Sequence, residues 1–223
     1  MSIQRPLLII FLMLGECTVQ GQSKSLELGI EGGPSLTSIR GNILTDELES
    51  IISYSIGPTV QFNFSERFAL RTGCSLERKG SAGYLMAVDV NGNVIGKTKL
   101  HEDFDYLTFP LLARVSFGTK VKFVVNAGPF LGYLLKQTEH SDPIRDFPGY
   151  SVEHTDRYRR TDLGVTAGVG VVIRVRTHLR VSAELRNNLG LMNVSASPLI
   201  NNGSFKTNST VLLVGCGYVF GKQ

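Results

Sequence analysis

Residues Asp103–Gly118 read DFDYLTFPLLARVSFG. Leu107, Phe109, Leu111, Ala113, Val115 and Phe117 are apolar at every second position, with Thr108, Leu112, Arg114 and Ser116 between them. This period of two is the signature of a β-strand with one apolar and one mixed face. An arginine in the middle of the mixed face poses the deciding question. A water-soluble sheet would turn the apolar face inward. A sheet in a bilayer would turn it to hydrocarbon and shelter the arginine.

The same pattern recurs along the chain. It predicts strands at Leu26–Thr37, Ser53–Ser65, Arg67–Lys79, Val121–Lys136, Asp162–Val175, Leu179–Leu191 and Thr210–Phe220. With the opening stretch this makes an even set of eight, each long enough to cross a bilayer at a tilt. The connections Ser65–Arg67, Gly118–Lys120 and Arg176–Thr177 are tight, whereas those near 38–52, 80–103, 137–161 and 192–209 are long. Short turns at one end and long loops at the other are the build of an outer-membrane barrel. The expected fold is therefore all-β: an eight-stranded antiparallel up-and-down transmembrane β-barrel with short periplasmic turns and long extracellular loops.

Aromatic residues group at the strand ends. Phe62, Phe64, Phe68, Phe117, Phe123, Tyr218 and Phe220 fall beside the short turns, and Tyr54, Phe104, Tyr106 and Tyr133 toward the long loops, as interfacial girdles would. A lipid-facing arginine costs about 2–4 kcal/mol at the midplane. Hence the mixed faces are expected to point inward, gathering Glu27, Glu31, Arg71, Arg114, Glu184 and Arg186 into a lumen charge cluster of ion pairs, with Glu77 and Lys122 also inside. Lys79 and Lys136 share that inward parity. An eight-stranded bore is just wide enough for side chains to fill, so a closed lumen is expected rather than a pore. Pro34, Pro58, Pro110 and Pro129 lie within predicted strands; each removes a ladder donor and predicts bulges or local slips of register.

The N-terminus, MSIQRPLLIIFLMLGECTVQGQ, has a basic Arg5, an apolar Leu7–Leu14 and small residues at Val19 and Gly21. It reads as a secretory signal peptide over 1–21, leaving 22–223 as the barrel domain; a lipoprotein signal ending at Cys17 fits less well because Glu16 precedes the cysteine. Cys74 and Cys216 fall on non-adjacent predicted strands and are expected to stay free thiols. The net charge of +4 is spread through the sequence without a basic block, so no nucleic-acid partner is expected.

The segments LGIEGGPSLTSIRGN, YSIGPTVQFNFSERFALRTGCSLERKG, DYLTFPLLARVSF and VVNAGPFLGYLL occur in this order. Over essentially the whole mature chain they resemble the PorT-like outer-membrane β-barrel family of the Bacteroidetes, most specifically in YLTFPLLARV and NAGPFLGYLL. The resemblance implies an integral outer-membrane protein of a Gram-negative cell. It adds a role, for some members, as accessory to a protein secretion system linked to gliding, and it supplies no catalytic motif. By the same resemblance Phe220 would act as the assembly-signal aromatic, although Gly221, Lys222 and Gln223 follow it.

Other constellations read as solvated loops. His140, Ser141 and Asp142, with His154 and Asp156 nearby, contain the residue types of a hydrolase, but adjacent loop residues rarely meet the required geometry. Asp89–Asn93 has the glycine too early for a calcium loop and suits a hairpin turn extending its strands beyond the membrane. His101, Glu102 and Asp103 read as rim charges. Arg157, Arg159 and Arg160, near Asp156 and Asp162, read likewise, or as a contact for lipopolysaccharide phosphates. The expectation is a non-enzymatic monomer without cofactor or metal. Its partners would be outer-membrane lipid, lipopolysaccharide and secretion-system proteins. A lipid-modifying hydrolase of the outer leaflet and a soluble lipocalin-like binder are the competing readings.

Overall fold

The computed structural model describes residues 24–42, 45, 48–88, 94–144, 148–197 and 203–221. The signal-peptide segment 1–21 and the Asp89–Asn93 turn lie outside these residues. The strands are β1 (Ser25–Arg40), β2 (Glu49–Asn63), β3 (Phe68–Gly73), β4 (Ser75–Val88), β5 (Val94–Phe117), β6 (Val121–Ser141), β7 (Ser151–Glu153), β8 (Thr161–Arg174), β9 (Leu179–Gly190) and β10 (Lys206–Phe220).

All pairings are antiparallel, and β1 pairs with both β2 and β10, so the sheet closes on itself. β3 and β4 are halves of one stave: Thr59↔Gly73 and Ser55↔Glu77 on β2 belong to one register, as do Thr72↔Leu111 and Ser75↔Thr108 on β5. Counted this way eight staves form the ring, and β7 is a short strap on β6. The stave is interrupted at Cys74 because prolines stand on both sides of it. Pro58 and Pro110 bring no N–H to the ladder; the Cys74 N–H still donates to Pro58 O (3.1 Å) and the Thr72 hydroxyl to Pro110 O (2.8 Å).

The faces answer the question posed by Arg114. Leu28, Ile30, Leu111, Val169, Leu185 and Val214 stand outward, with Leu111 48 % exposed, whereas Arg114 and Arg186 are 2 % and 5 % exposed in the interior. A soluble calyx would have the reverse arrangement. The short-turn girdle is on the outer surface as expected, with Phe62 edge-on to Phe64 and Tyr218 against Phe220. The opposite girdle needs correction. Tyr54 and Tyr133 face outward, but Phe104 and Tyr106 are fully buried in the bore, where they pack with Ile39 and Leu134.

A further difference originates in register. Between Asp105 and Tyr106 the pairing with β6 shifts by one residue, and a one-residue slip reverses every later side chain. Lys136, expected inside, is therefore exposed, while Gln137 is buried. The long connection over 80–103 is mostly the β4–β5 hairpin, the extension expected from the Asn-Gly pair, and β4, β5 and β6 rise above the membrane as a sheet. Arg78 marks the boundary: it faces outward, forks onto Asp105 (2.7 and 3.0 Å) and lies over the Tyr54 ring. Above Ala82, among the described residues, β4 has no strand partner on its β2 side.

Candidate functional site

The bore is organised in tiers. In the middle, β1 and β9 bring Glu31 and Arg186 together across β10, at 2.7 Å. Glu31 also receives Arg71 of β3 at 2.5 Å. Arg186 spans to Glu184 on its own strand (2.7 Å), and Glu184 accepts Arg114 from β5 at 2.5 Å. Gln61 Oε1 takes Nη1 of Arg114 (2.9 Å) and of Arg71 (3.3 Å), and Asn126 Oδ1 takes Nε of Arg114 (2.7 Å). The sixth residue of the expected cluster, Glu27, lies nearer the short-turn end and pairs with Arg180 at 2.9 Å. Carboxylates and guanidinia thus satisfy one another where isolated charges would be prohibitive. Glycines make the room: a Cβ at Gly168 would stand 3.1 Å from the Glu184 carboxylate, and one at Gly217 would collide with Glu27.

A second tier lies above it. Lys79, fully buried, pairs with Asp162 (3.1 Å) and donates to Thr207 (3.2 Å), whose hydroxyl donates to Asp162 at 2.6 Å. Asp162, expected at the rim, sits one residue inside the start of β8 with inward parity, so it belongs to the bore. Lys79 also stands over the rings of Phe130 (4.6 Å) and Tyr106 (5.0 Å), a placement that favours a cation. Beside it Glu77 accepts from Thr108 (2.8 Å), Asn188 (3.0 Å) and Ser209. Alternation shows the inward parity of Glu77, Lys79 and Asn188, whereas Thr207 and Ser209 lie before the predicted start of the last strand, and the pairings themselves have no signal in the local pattern.

Above this tier the long loops cover the mouth. Tyr158 meets Phe104 edge-to-face at 4.8 Å and stacks near Phe205. Val194 is fully buried, and backbone bonds tie Arg159 N to Val194 O and Ala196 N to Arg157 O. Arg160 acts close to its own strand. Its guanidinium donates to the carbonyls of Leu134 and Leu135 (3.1 and 2.9 Å), the acceptors loosened by the bulge. At the inner side of the sheet extension Glu102 is the register partner of Glu139. Burial and the nearby Glu139 charge raise the Glu102 carboxyl to about 7.

The hydrolase constellation is not assembled. The His140 ring stacks on His101 (4.8 Å), with its nearest ionic neighbour Asp103 at 4.0 Å, and Ser141 accepts from the Tyr150 backbone N–H. Among the described residues no histidine nitrogen is hydrogen-bonded to a hydroxyl, and no group of histidine, cysteine and carboxylate side chains is arranged to hold a metal. Cys74 and Cys216 are free.

The other end is open. A polar cavity of about 590 Å³ runs from the short turns up to Arg114. Lys122, expected inside, does line it, but its Nζ donates to the Glu66 backbone carbonyl (3.2 Å) rather than to a carboxylate.

This outward hydrocarbon face, ion-paired bore and sorted loops agree with what comparison finds. The family model described as outer membrane protein beta-barrel domain matches residues 20–196. The chain belongs to this outer-membrane β-barrel family. It is an integral outer-membrane protein. No curated protein sequence matches the chain. Similar solved structures include Ail, the attachment invasion locus protein of Yersinia pestis, with 13 % identity, 90 % of this chain and 100 % of that one covered, and a TM-score of 0.45. Neisserial surface protein A is similar at 15 % identity, 86 % and 97 % coverage and a TM-score of 0.46. OprG of Pseudomonas aeruginosa is similar at 10 % identity, 91 % and 97 % coverage and a TM-score of 0.43.

Proposed function

We propose that this outer-membrane barrel is a non-catalytic, monomeric, PorT-like protein of the Bacteroidetes that serves protein secretion by docking a partner outside the bilayer. The observation that carries this reading is the filled bore. Arg71, Arg114, Glu184 and Arg186 in the middle and Lys79, Tyr106 and Phe104 above them are all at most 5 % exposed. With no path for solute, the surfaces that remain to act are those beyond the membrane.

The β4–β6 extension is the largest built element there. The upper edge of β4, above Ala82, carries GYLMAV over 83–88, a run without charge or proline, with Tyr84, Leu85 and Met86 exposed. Natural sheets usually blunt such an edge, and an unblunted one suits a partner's extended strand. Outer-leaflet lipopolysaccharide is the second partner in this reading, met by the exposed Arg157 and Arg159, whose guanidinium groups suit phosphate. Deleting the gene and measuring secreted protein in the medium tests the role, with loss of a defined secreted set expected. Unchanged secretion, together with failure to recover secretion components by pull-down from detergent extracts, would refute it.

A further inference from the structure

We propose that the periplasmic vestibule binds a phosphate-bearing anion. Among the described residues of the bore, charge is out of balance in this part alone. Lys122, Arg174 and Arg180 line the cavity from three consecutive staves, β6, β8 and β9. Arg174 and Arg180 are direct register partners, and Lys122 is opposite Val172, two residues before Arg174 on the same face. Like charges directly opposite on a sheet repel.

Compensation is incomplete. Glu27 serves Arg180 alone. The other carboxylate lining the cavity is Glu66, on the β2–β3 turn, which offers Lys122 its backbone oxygen. Arg114 at the roof is already held by Glu184, and Lys120 enters from the β5–β6 turn. Among the described residues Lys120, Lys122 and Arg174 have no carboxylate within ion-pair distance. In the tiers above, by contrast, Arg71, Lys79, Arg114 and Arg186 each meet one.

Repulsive cations around one cavity are relieved by an anion, and the geometry selects its class. Glu27 already neutralises one of the three, Arg180, and leaves Lys122 and Arg174. A phosphate dianion presents several acceptor oxygens to two guanidinium forks and an ammonium at once. The cavity volume of about 590 Å³ lies in the range of small-ligand sites. The filled bore above Arg114 leaves the periplasm as the side of entry. This inference does not depend on a role in secretion.

The test is calorimetric titration of the refolded full chain, in zwitterionic nanodiscs at low salt, with inorganic pyrophosphate. Saturable binding at a single site is expected. K122Q/R174Q is expected to weaken it about tenfold or more, the loss that follows from removing charge-assisted hydrogen bonds. K97Q, on the β5 extension at the opposite side of the membrane, is expected to bind as wild type. The folded band on an unboiled gel qualifies each variant, and R174Q alone, at the exposed end of β8, serves if the double variant does not fold. Adding phosphatidylglycerol identifies the natural source: competition assigns the site to a lipid headgroup, no competition to a soluble phosphate compound. Absence of saturable heat, or equal affinity in wild type and K122Q/R174Q, would mean an adventitious ion only and overturn the proposal.

Discussion

Arg186 joins two carboxylates that would otherwise face each other in a dry interior. Truncation to methionine keeps most of its volume but leaves Glu31 and Glu184 short of a partner. Breaking a buried pair in this way costs about 3–5 kcal/mol. The midpoint of urea unfolding, read as the gel shift between folded and unfolded forms, should fall markedly for R186M; an unchanged midpoint would show that the cluster contributes nothing to stability. Glu102 gives a second residue-scale expectation. Its carboxyl, raised from 4.5 to about 7 by burial and Glu139, prefers its proton in the folded mouth. The associated stability is therefore full below about 4.5 and lost as pH rises through 7. Protection factors of the β5–β6 extension, exchange rates corrected for the intrinsic pH dependence, should be higher at pH 5 than at pH 8, and E102Q should remove most of that difference. At this scale the sequence is informative about orientation. Alternation alone places Glu31, Arg71, Arg114, Glu184 and Arg186 inward. Their pairing is not readable, because Glu31 and Arg186 are 155 residues apart and meet only through the stagger of a closed sheet.

At the scale of elements, the irregularities decide where reading succeeds. Alternation carries β1, β8, β9 and β10 almost to their ends, since nothing interrupts the pleat there. It fails at Lys136 because a bulge leaves no mark in the hydropathy pattern, and the nearest proline, Pro129, lies well before the slip. At 80–103 the extension of the strands is signalled by the Asn91-Gly92 pair and not by alternation, because GSAGYLMAV lacks the polar half of the period while β5 opposite it is rich in charge. Arg160 is the device that holds the bulge. R160Q should leave the carbonyls of Leu134 and Leu135 without their donor, costing on the order of 1–2 kcal/mol. Faster amide exchange confined to the Leu134–Gln137 segment would be the readout; uniform exchange across β6 would argue against a local clamp.

For the whole molecule, the tiers make the barrel a plugged cylinder whose two ends differ: aromatic and loop-covered outside, wet and basic toward the periplasm. Purified protein in planar bilayers should therefore pass no stepwise current at moderate voltage, and reproducible unitary conductance would contradict a bore sealed by ion pairs. The overall architecture is legible because lipid imposes a strict rule on each strand, apolar outward, and because loop lengths sort by side. What occupies the bore is not, since every cross-bore contact depends on distances along several staves at once.

The seam between β1 and β10 joins the first strand of the barrel to the last, Leu26 beside Phe220 and Arg40 beside Lys206. A chain emerging into the periplasm can pair one edge of its leading strand with β2, but the other edge has no mate until the final segment arrives. Until then its hydrocarbon-facing side chains lack both lipid and a finished ring. Such a polypeptide must travel to its membrane with a chaperone holding it open, and loss of the closing strand would send it to proteolysis rather than to insertion.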